Sequence, residues 1–535
     1  MSRIMADEIV IRTGRAEFDS LYPRVKGFLE QDTLDVTIDG GKIRGYRSPD
    51  ARSIWIRDFS DMMRGFKYFE EDLTSTIDHF AGTQNKNGRI FDYFTTFPEK
   101  LPSERENWTK YVRVPVEADV EYRFVKAVFL AWQATGDDDW MRGKLLAMAD
   151  ALEYIRAHPW RWDEERGLVK RAYTIDTWDF AYTAGRHEWL QFQIDDDTFW
   201  GISHGDNSGY LEAYLLLAMM LEQCGELDRA ALWRERAHAI RAALKRTCFN
   251  GKFYTHFVKL TPVTIPGVDE SSQLSLSNPM AINRGATSHE MAVSILREYR
   301  DRREETESFA EWFSIDPPFP DGVFGDEKLV GGAYVNGGIM PLVGGELARA
   351  AFEHGFEEYG ASILRRYHNL IEESGESYLW YFPDGTPAGV ETSTSPEAQP
   401  TDGWGASAML YALVEGLAGV EDWWTGFRRA RISRRWLAAG VEDAEVKVGY
   451  RASGKSIHYK FALLGGRIRI EVGGDGSEVL FHVLLPDDSL AERVAIDGDT
   501  AEFRNLTVGD SRYVDFSIQL FGEAVVEITL DGAAM

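Results

Sequence analysis

The sequence predicts a mainly α fold, an (α/α)6 toroid of paired helices followed by a small C-terminal antiparallel β-sandwich. Three observations carry that reading. Apolar residues recur at helical spacing, in paired segments, from about residue 57 to about 420. The pairs follow one another at irregular intervals, joined by long loops, with none of the self-similar repeats that a solenoid needs. Past about residue 430 the apolar period falls to two. At 535 residues the chain exceeds one ordinary core, so two units are expected, 1–430 helical and 431–535 in strands.

The clearest helical pair lies at 118–157. Val120, Phe124, Val125, Val128, Phe129 and Trp132 share one helical face, Gly136-Asp137-Asp138-Asp139 closes the turn, and a second helix follows from about 139 to 157. Similar hairpins are predicted at 58–84, 208–245, 286–313 and 341–373, with a last helix at 403–418. That makes about eleven or twelve helices in consecutive pairs. Between them run irregular stretches at 85–117, 158–207, 250–285, 314–340 and 374–402. Loops longer than about 15 residues in a compact domain usually carry function or small strands. In the C-terminal unit, Val446-Lys447-Val448-Gly449-Tyr450, Ile457-His458-Tyr459-Lys460-Phe461 and Ile468-Arg469-Ile470-Glu471-Val472 alternate between turns of Gly and Asp. About eight short strands ending near Leu530 are expected, supporting one flank of the toroid.

Composition narrows the partners. The formal charge of −27 argues against nucleic acid, whose phosphates need clustered Lys and Arg. No apolar run approaches the roughly 18 residues of a membrane span, and Met1–Glu8 lacks the apolar stretch of a signal peptide. The expectation is a cytoplasmic protein that engages neither membrane nor nucleic acid, with homo-oligomerisation left open. Cys224 and Cys248 are too few for a disulfide framework or a metal cage. His187, His204 and His289 have no partner at metal-ligand spacing, and Asp195-Asp196-Asp197 lacks the ligand alternation of a calcium loop, so no metal is expected. No phosphate-binding glycine motif is present, and no cofactor is expected. The 16 Trp, 22 Tyr and 30 Phe exceed what core filling usually needs, and flat amphipathic rings are natural stacking platforms for sugars.

The polar and aromatic residues concentrate in the loops. Asp176-Thr177-Trp178-Asp179-Phe180 places Asp179 between aromatic rings, where desolvation raises a carboxyl pKa and keeps it protonated, as a general acid requires. A helix cap or turn role competes with that reading. A second carboxyl is offered by Glu391, Glu397 or Asp402, all just ahead of Gly403-Trp404-Gly405, and spacing does not choose among them. Asp402 is also well placed as a helix N-cap. Tyr334 and Asn336 lie in a Gly-rich turn where backbone can approach a ligand. Tyr378, Trp380 and Tyr381 cluster before a turn, and with Trp404 offer faces for stacking or for the core.

Five segments, in order, resemble those of the six-hairpin glycoside hydrolases, the superfamily of trehalases, processing α-glucosidases and glucoamylases. Trp178-Asp179-Phe180 resembles the Trp-Asp-Phe that carries the general acid. Ile54-Trp55-Ile56-Arg57-Asp58 resembles the segment whose Arg and Asp hold the sugar being cleaved. Gly205-Asp206-Asn207-Ser208 and Tyr334-Val335-Asn336-Gly337-Gly338-Ile339-Met340-Pro341 resemble two further turns into helices. Glu391 ahead of Gly403-Trp404-Gly405 resembles the catalytic Glu that precedes a Gly-Trp helix start. The resemblance covers about residues 50–420.

It implies an inverting, exo-acting hydrolysis of a neutral, α-glucoside-like oligosaccharide. Asp179 would protonate the leaving oxygen, and Glu391 would take a proton from water on the opposite face. Such carboxyl groups stand roughly 6.5–9.5 Å apart to admit that water. Trp55, Arg57, Asp58, Trp178, Asp206, Asn207, Tyr334, Asn336, Trp380 and Trp404 would bind the small carbohydrate substrate. For Arg57 and Asp58 the competing reading is an ion pair with each other. A glycoside phosphorylase and a non-catalytic carbohydrate-binding protein are the alternatives for the whole chain.

Overall fold

The computed structural model describes residues 8–38, 40–49, 51, 53–95, 105–107, 110–111, 117–178, 180–186, 196–392, 400–476 and 478–531. Its helices are α1 (Ala16–Asp19), α2 (Leu21–Gln31), α3 (Ile56–Phe66), α4 (Ser75–Gly82), α5 (Val120–Thr135), α6 (Asp138–Arg142), α7 (Leu145–Ala157), α8 (His204–Gln223), α9 (Leu227–Cys248), α10 (Ser277–Asn283), α11 (His289–Thr306), α12 (Pro341–Glu353), α13 (Glu357–Ser374) and α14 (Gly403–Tyr411). A π-helical stretch, Ala412–Leu417, extends α14.

Six of these helices contact in a closed cycle: α3 packs on α5, α5 on α8, α8 on α10, α10 on α12, α12 on α14, and α14 back on α3. The others lie against that cycle, α2 on α14 and α3, α4 on α5, α7 on α5 and α8, α9 on α8, α11 on α10 and α12, and α13 on α12. Sequence decides which helix is enclosed. In α5, 14 of 16 residues are buried, and in α12, 12 of 13, because both are apolar or small almost all round. In α11 only Met291, Ala292, Ile295, Leu296 and Tyr299 are buried, one stripe among charged residues. The one-striped α11 therefore lies outside and the nearly all-round apolar α5 and α12 in the cycle, while α3 is enclosed with its charges paired. Each fully buried large apolar side chain contributes about 1.5–3 kcal/mol.

Charged side chains thread the enclosed helices. Arg123 of α5 pairs with Asp61 of α3, Arg64 of α3 with Glu346 of α12, and Lys126 of α5 with Glu212 of α8 at 2.9 Å. Each of these buried charges thus has an opposite partner, without which burial would cost several kcal/mol.

Two sheets follow. The seven-stranded sheet runs, in spatial order, Ile9–Arg12, Asp443–Gly449, Ser456–Leu464, Arg467–Gly474, Glu523–Leu530, Ala491–Ile496, Asp499–Thr500, all antiparallel. The five-stranded sheet runs Val420–Asp422, Arg429–Ile432, Glu478–Leu484, Ser511–Gln519, Arg504–Val508. Val446, Tyr459, Val472 and Ala524 stand side by side on one buried face, as the period of two demands. Tyr459 ties this sheet to the helices: its hydroxyl donates to the Ala418 carbonyl at 2.7 Å and accepts from Trp436 Nε1 at 2.7 Å.

Several elements depart from the sequence expectation. The sheets draw on residues before 431, since Ile9–Arg12 forms one edge and Val420–Asp422 another. Arg429–Ile432 pairs parallel to Glu478–Leu484, so the strands are not all antiparallel. The hairpin expected at 286–313 is the single helix α11; beyond it Phe313 bridges Ile339 and the Trp312 carbonyl accepts the Met340 N–H at 2.8 Å, a long-range pairing that overrides local period. α10 falls in a stretch expected to be irregular, and its 7 residues are too few to show a period. Helices α1 and α2 precede residue 57, where the sequence places the first apolar pair.

Candidate active site

The N-termini of the six cyclic helices are joined to one another by side-chain contacts, so they meet at one rim. Arg57 at the start of α3 donates to Asp119, the residue capping α5, through Nε at 2.8 Å and Nη2 at 2.9 Å, and also pairs with Glu117. Asp206 in the first turn of α8 accepts from Arg171 Nη1 at 3.1 and 3.2 Å, and Arg171 Nη2 donates to the Trp178 carbonyl at 2.7 Å. Ser277 at the start of α10 donates both its N–H, at 3.2 Å, and its hydroxyl to Asp176. Trp178 then meets Tyr334, ahead of α12, at 5.4 Å between ring centroids, and Trp404, in the first turn of α14, at 5.2 Å. The Arg57 guanidinium lies 6.0 Å from the Trp178 ring centre. One segment, 176–178, therefore touches five of the six helix starts or the turns leading into them. Six positive helix ends at one rim favour carboxylates there.

Local sequence explains these positions. Asp176 holds a left-handed φ of +48°, fixed by its N–H donating to His256 Nε2 at 2.8 Å and its carboxylate accepting from Thr177 N at 2.7 Å. Burial works to raise the Asp176 carboxyl, but the neighbouring His204 and the hydroxyls of Ser275 and Ser277 outweigh it and hold it below the usual range. At the start of α14, a Cβ on Gly405 would come within 2.6 Å of Pro341 Cβ, so only glycine lets α14 approach α12 and present Trp404. Tyr334 adopts a φ of +46°, and a Cβ on Gly338 would lie 2.4 Å from its carbonyl oxygen, which accounts for the glycines of that turn.

Two carboxyls are buried at the α3 and α14 starts, Asp58 and Asp402. Asp58 is raised by burial, which Arg47, 3.5 Å away, and Arg57 partly offset. Asp402 is pushed up to about 8 by burial and by the charge of Asp58. Its Oδ1 accepts the Trp404 N–H at 2.6 Å, so it caps α14 as the sequence allowed. Arg57 is engaged by Asp119 and Glu117, and Asp58 by Arg47, so each has its own partner in place of the mutual ion pair that the sequence admits. Trp55 stacks on Tyr93 at 3.8 Å with the Arg47 guanidinium 4.9 Å from its ring.

Other expected residues divide into two groups. Trp178, Tyr334, Trp380 and Trp404 form one aromatic cluster, with Trp380 6.4 Å from Tyr334. The indole N–H groups of Trp178 and Trp404 are buried and meet no acceptor among the described residues. Asp206, Asn207 and Asn336 instead hold the scaffold. The Asn207 amide binds the backbone of Val169 and Ser203, and that of Asn336 binds the backbone of Phe319 and Leu329, at 2.7–3.1 Å. Glu391 lies exposed on the short 3-10 turn Val390–Thr392, two residues past Gly389, whose N–H donates to Thr392 Oγ1 at 2.9 Å. Asp179, Glu397, His187 and Asp195 lie outside the described residues.

Sequence reasoning passed over Arg47, Glu117, Asp119, Arg171, Asp176 and Ser277. Glu117-Ala118-Asp119, an acidic pair directly before the apolar face of α5, was the one legible signal. Pairings 35 to 101 residues apart leave no local trace.

The fold has counterparts among solved structures. An α-L-rhamnosidase from Dictyoglumus thermophilum aligns over 98% of this chain and 50% of its own, with a TM-score of 0.59 and 10% identity. The α-L-rhamnosidase of Streptomyces avermitilis complexed with L-rhamnose aligns over 98% and 42%, at 0.59 and 13%. The GH63 mannosylglycerate hydrolase of Thermus thermophilus in complex with glucose aligns over 74% and 99%, at 0.51 and 13%. The likeness is one of fold, and the chain spans half the length or less of these rhamnosidases. No protein-family model matches the chain, and no curated protein matches it by sequence.

Proposed function

We propose that this chain is a glycoside hydrolase whose closed helical cycle is an (α/α)6 toroid, with the active site at the rim where the six helix starts meet. The observation that carries this reading is the rim itself: an aromatic cluster whose two indole N–H donors meet no acceptor among the described residues borders Arg57 and the buried carboxyls Asp58 and Asp402. Stacking faces beside paired donors and acceptors suit a sugar ring. The three solved structures compared above are two α-L-rhamnosidases and a mannosylglycerate hydrolase, which supports the same class of chemistry.

In this reading Asp179 is the general acid. Its neighbours Trp178 and Phe180 are buried beside Tyr334, an apolar setting that favours the protonated carboxyl needed to donate to a leaving oxygen. Water attacks the anomeric carbon from the opposite face as the glycosidic bond breaks, and Glu391 takes the proton of that water. Asp402 suits this base role poorly, because a carboxyl pushed up to about 8 holds its proton at neutral pH. The result is inversion at the anomeric carbon. The substrate is a neutral glycoside, α-glucoside-like in the sequence reading, cleaved from its end.

The test is a panel of aryl glycosides and disaccharides of glucose, mannose and rhamnose. Asp179→Asn and Glu391→Gln should each lower kcat by at least about a hundredfold, as loss of a general acid or base does. Turnover unchanged in Asp179→Asn would overturn the proposal.

A further inference from the structure

We propose a second saccharide-binding site, in a cavity of about 810 Å³ between the outer helices α11 and α13 and the C-terminal strands. That volume lies within the range of about 300–1,000 Å³ typical of ligand pockets. α11 and α13 both pack against α12, a helix of the cycle. None of the rim residues described above lines it.

The lining chooses the ligand. Arg300, Arg303 and Arg366 from the two helices share the cavity with Glu304, Glu311, Glu357, Glu358, Asp487 and Asp510. An anion would meet six carboxylates and a cation three guanidinium groups. A neutral polyol fits better, since each of its hydroxyls both donates and accepts and so is served by either kind of group. Among the lining residues Glu311 is buried and accepts from Arg366 at 2.8 Å, with Arg303 at 3.5 Å, so these charges are fixed in place. Glu357 accepts from Ser511 Oγ at 2.7 Å and from the Tyr513 hydroxyl. Arg300 is different. Its guanidinium lies 5.7 Å from the Phe356 ring centre and 5.5 Å from that of Tyr359, and it makes no ion pair or hydrogen bond among the described residues. It thus offers five N–H donors at the mouth, beside two aromatic rings.

The site does not depend on the hydrolase reading, and the two fail separately. Binding of glucose, mannose, rhamnose, maltose and trehalose to the full chain is followed by saturation-transfer NMR and calorimetry. Ser362→Trp, on the cavity wall, fills the space; Trp404→Ala opens the rim cluster. Expected is one of these sugars bound in two classes, the first lost in Ser362→Trp with turnover unchanged, the second lost in Trp404→Ala. Arg300→Ala, an exposed change that leaves folding intact, should weaken the first class about tenfold, the loss of one charged hydrogen bond. Binding that Ser362→Trp and Arg300→Ala both leave unchanged overturns the second site, as does a panel in which every sugar binds only where Trp404→Ala abolishes it.

Discussion

Arg57 and Asp119 form a two-pronged ion pair, with Nε to Oδ2 at 2.8 Å and Nη2 to Oδ1 at 2.9 Å, in the interior between α3 and α5. This fork holds the guanidinium beside Trp178 and joins two helix starts of the rim. Asp119→Asn removes the charge of one of the two buried carboxylates that hold Arg57, Asp119 and Glu117. Breaking one side of a buried pair costs about 3–5 kcal/mol, so urea unfolding should show a loss of that size, larger than for Asp35→Asn at the surface pair with Arg44. Equal midpoints for the two variants would remove the fork from the account.

Asp402 makes stability depend on pH. Its folded value of about 8 lies above the roughly 3.9 of an unfolded Asp, so between these values the folded chain holds a proton that the unfolded chain releases. Stability from this group is therefore fully present at low pH and is lost as pH rises through the window, at up to about 1.4 kcal/mol per unit. Asp402→Asn still caps α14, because Asn caps as well as Asp. The variant should show a flatter dependence of urea midpoint between about pH 4 and about pH 8, and exceed the parent at the upper end. Parallel curves would count against the buried pair with Asp58.

The indole N–H groups of Trp178 and Trp404 separate binding from packing. Neither has an acceptor among the described residues, so Trp178→Phe and Trp404→Phe forfeit no hydrogen bond to those residues. Stability should fall by less than the roughly 3–5 kcal/mol that truncating a buried Trp to Ala costs, while KM should rise about tenfold from loss of a donor to sugar. Unchanged KM in both variants would leave the cluster as core alone.

Arg434 is wholly buried, with Nε, Nη1 and Nη2 meeting no acceptor among the described residues and its guanidinium 3.7 Å from the Phe461 ring centre. Burial pushes its pKa down to about 9. A charge compensated only by a ring face costs more than it returns, so Arg434→Met should raise stability by about 1–4 kcal/mol. A lower Tm would contradict this.

How much of this was legible in sequence follows from what each feature depends on. α5 and α8 can be read from the length of the apolar segments, Val120 to Trp132 and the stretch after Ser208, because burial nearly all round leaves few polar residues to interrupt them. The strand Ser456–Leu464 can be read from its period of two, because one face, Ile457, Tyr459 and Phe461, is buried and the other is not. Ile9–Arg12 cannot, since what makes it a strand is a partner more than 430 residues away. At the rim, Trp178, Arg57 and Trp404 announce themselves by residue type beside a helix start. Asp206, Asn207 and Asn336 look identical in sequence to ligand-binding residues, yet their side chains are engaged by Arg171 and by backbone. Residue type and position give the chemistry available; only the partner across the fold tells whether it is already satisfied.

The most direct test of the rim as an active site follows the first product by NMR while the enzyme cleaves a glycoside of the panel. Inversion requires that the anomer released first be opposite to that of the substrate, with Asp179→Asn abolishing its appearance. Release of the retained anomer, or undiminished turnover by Asp179→Asn, would contradict the account.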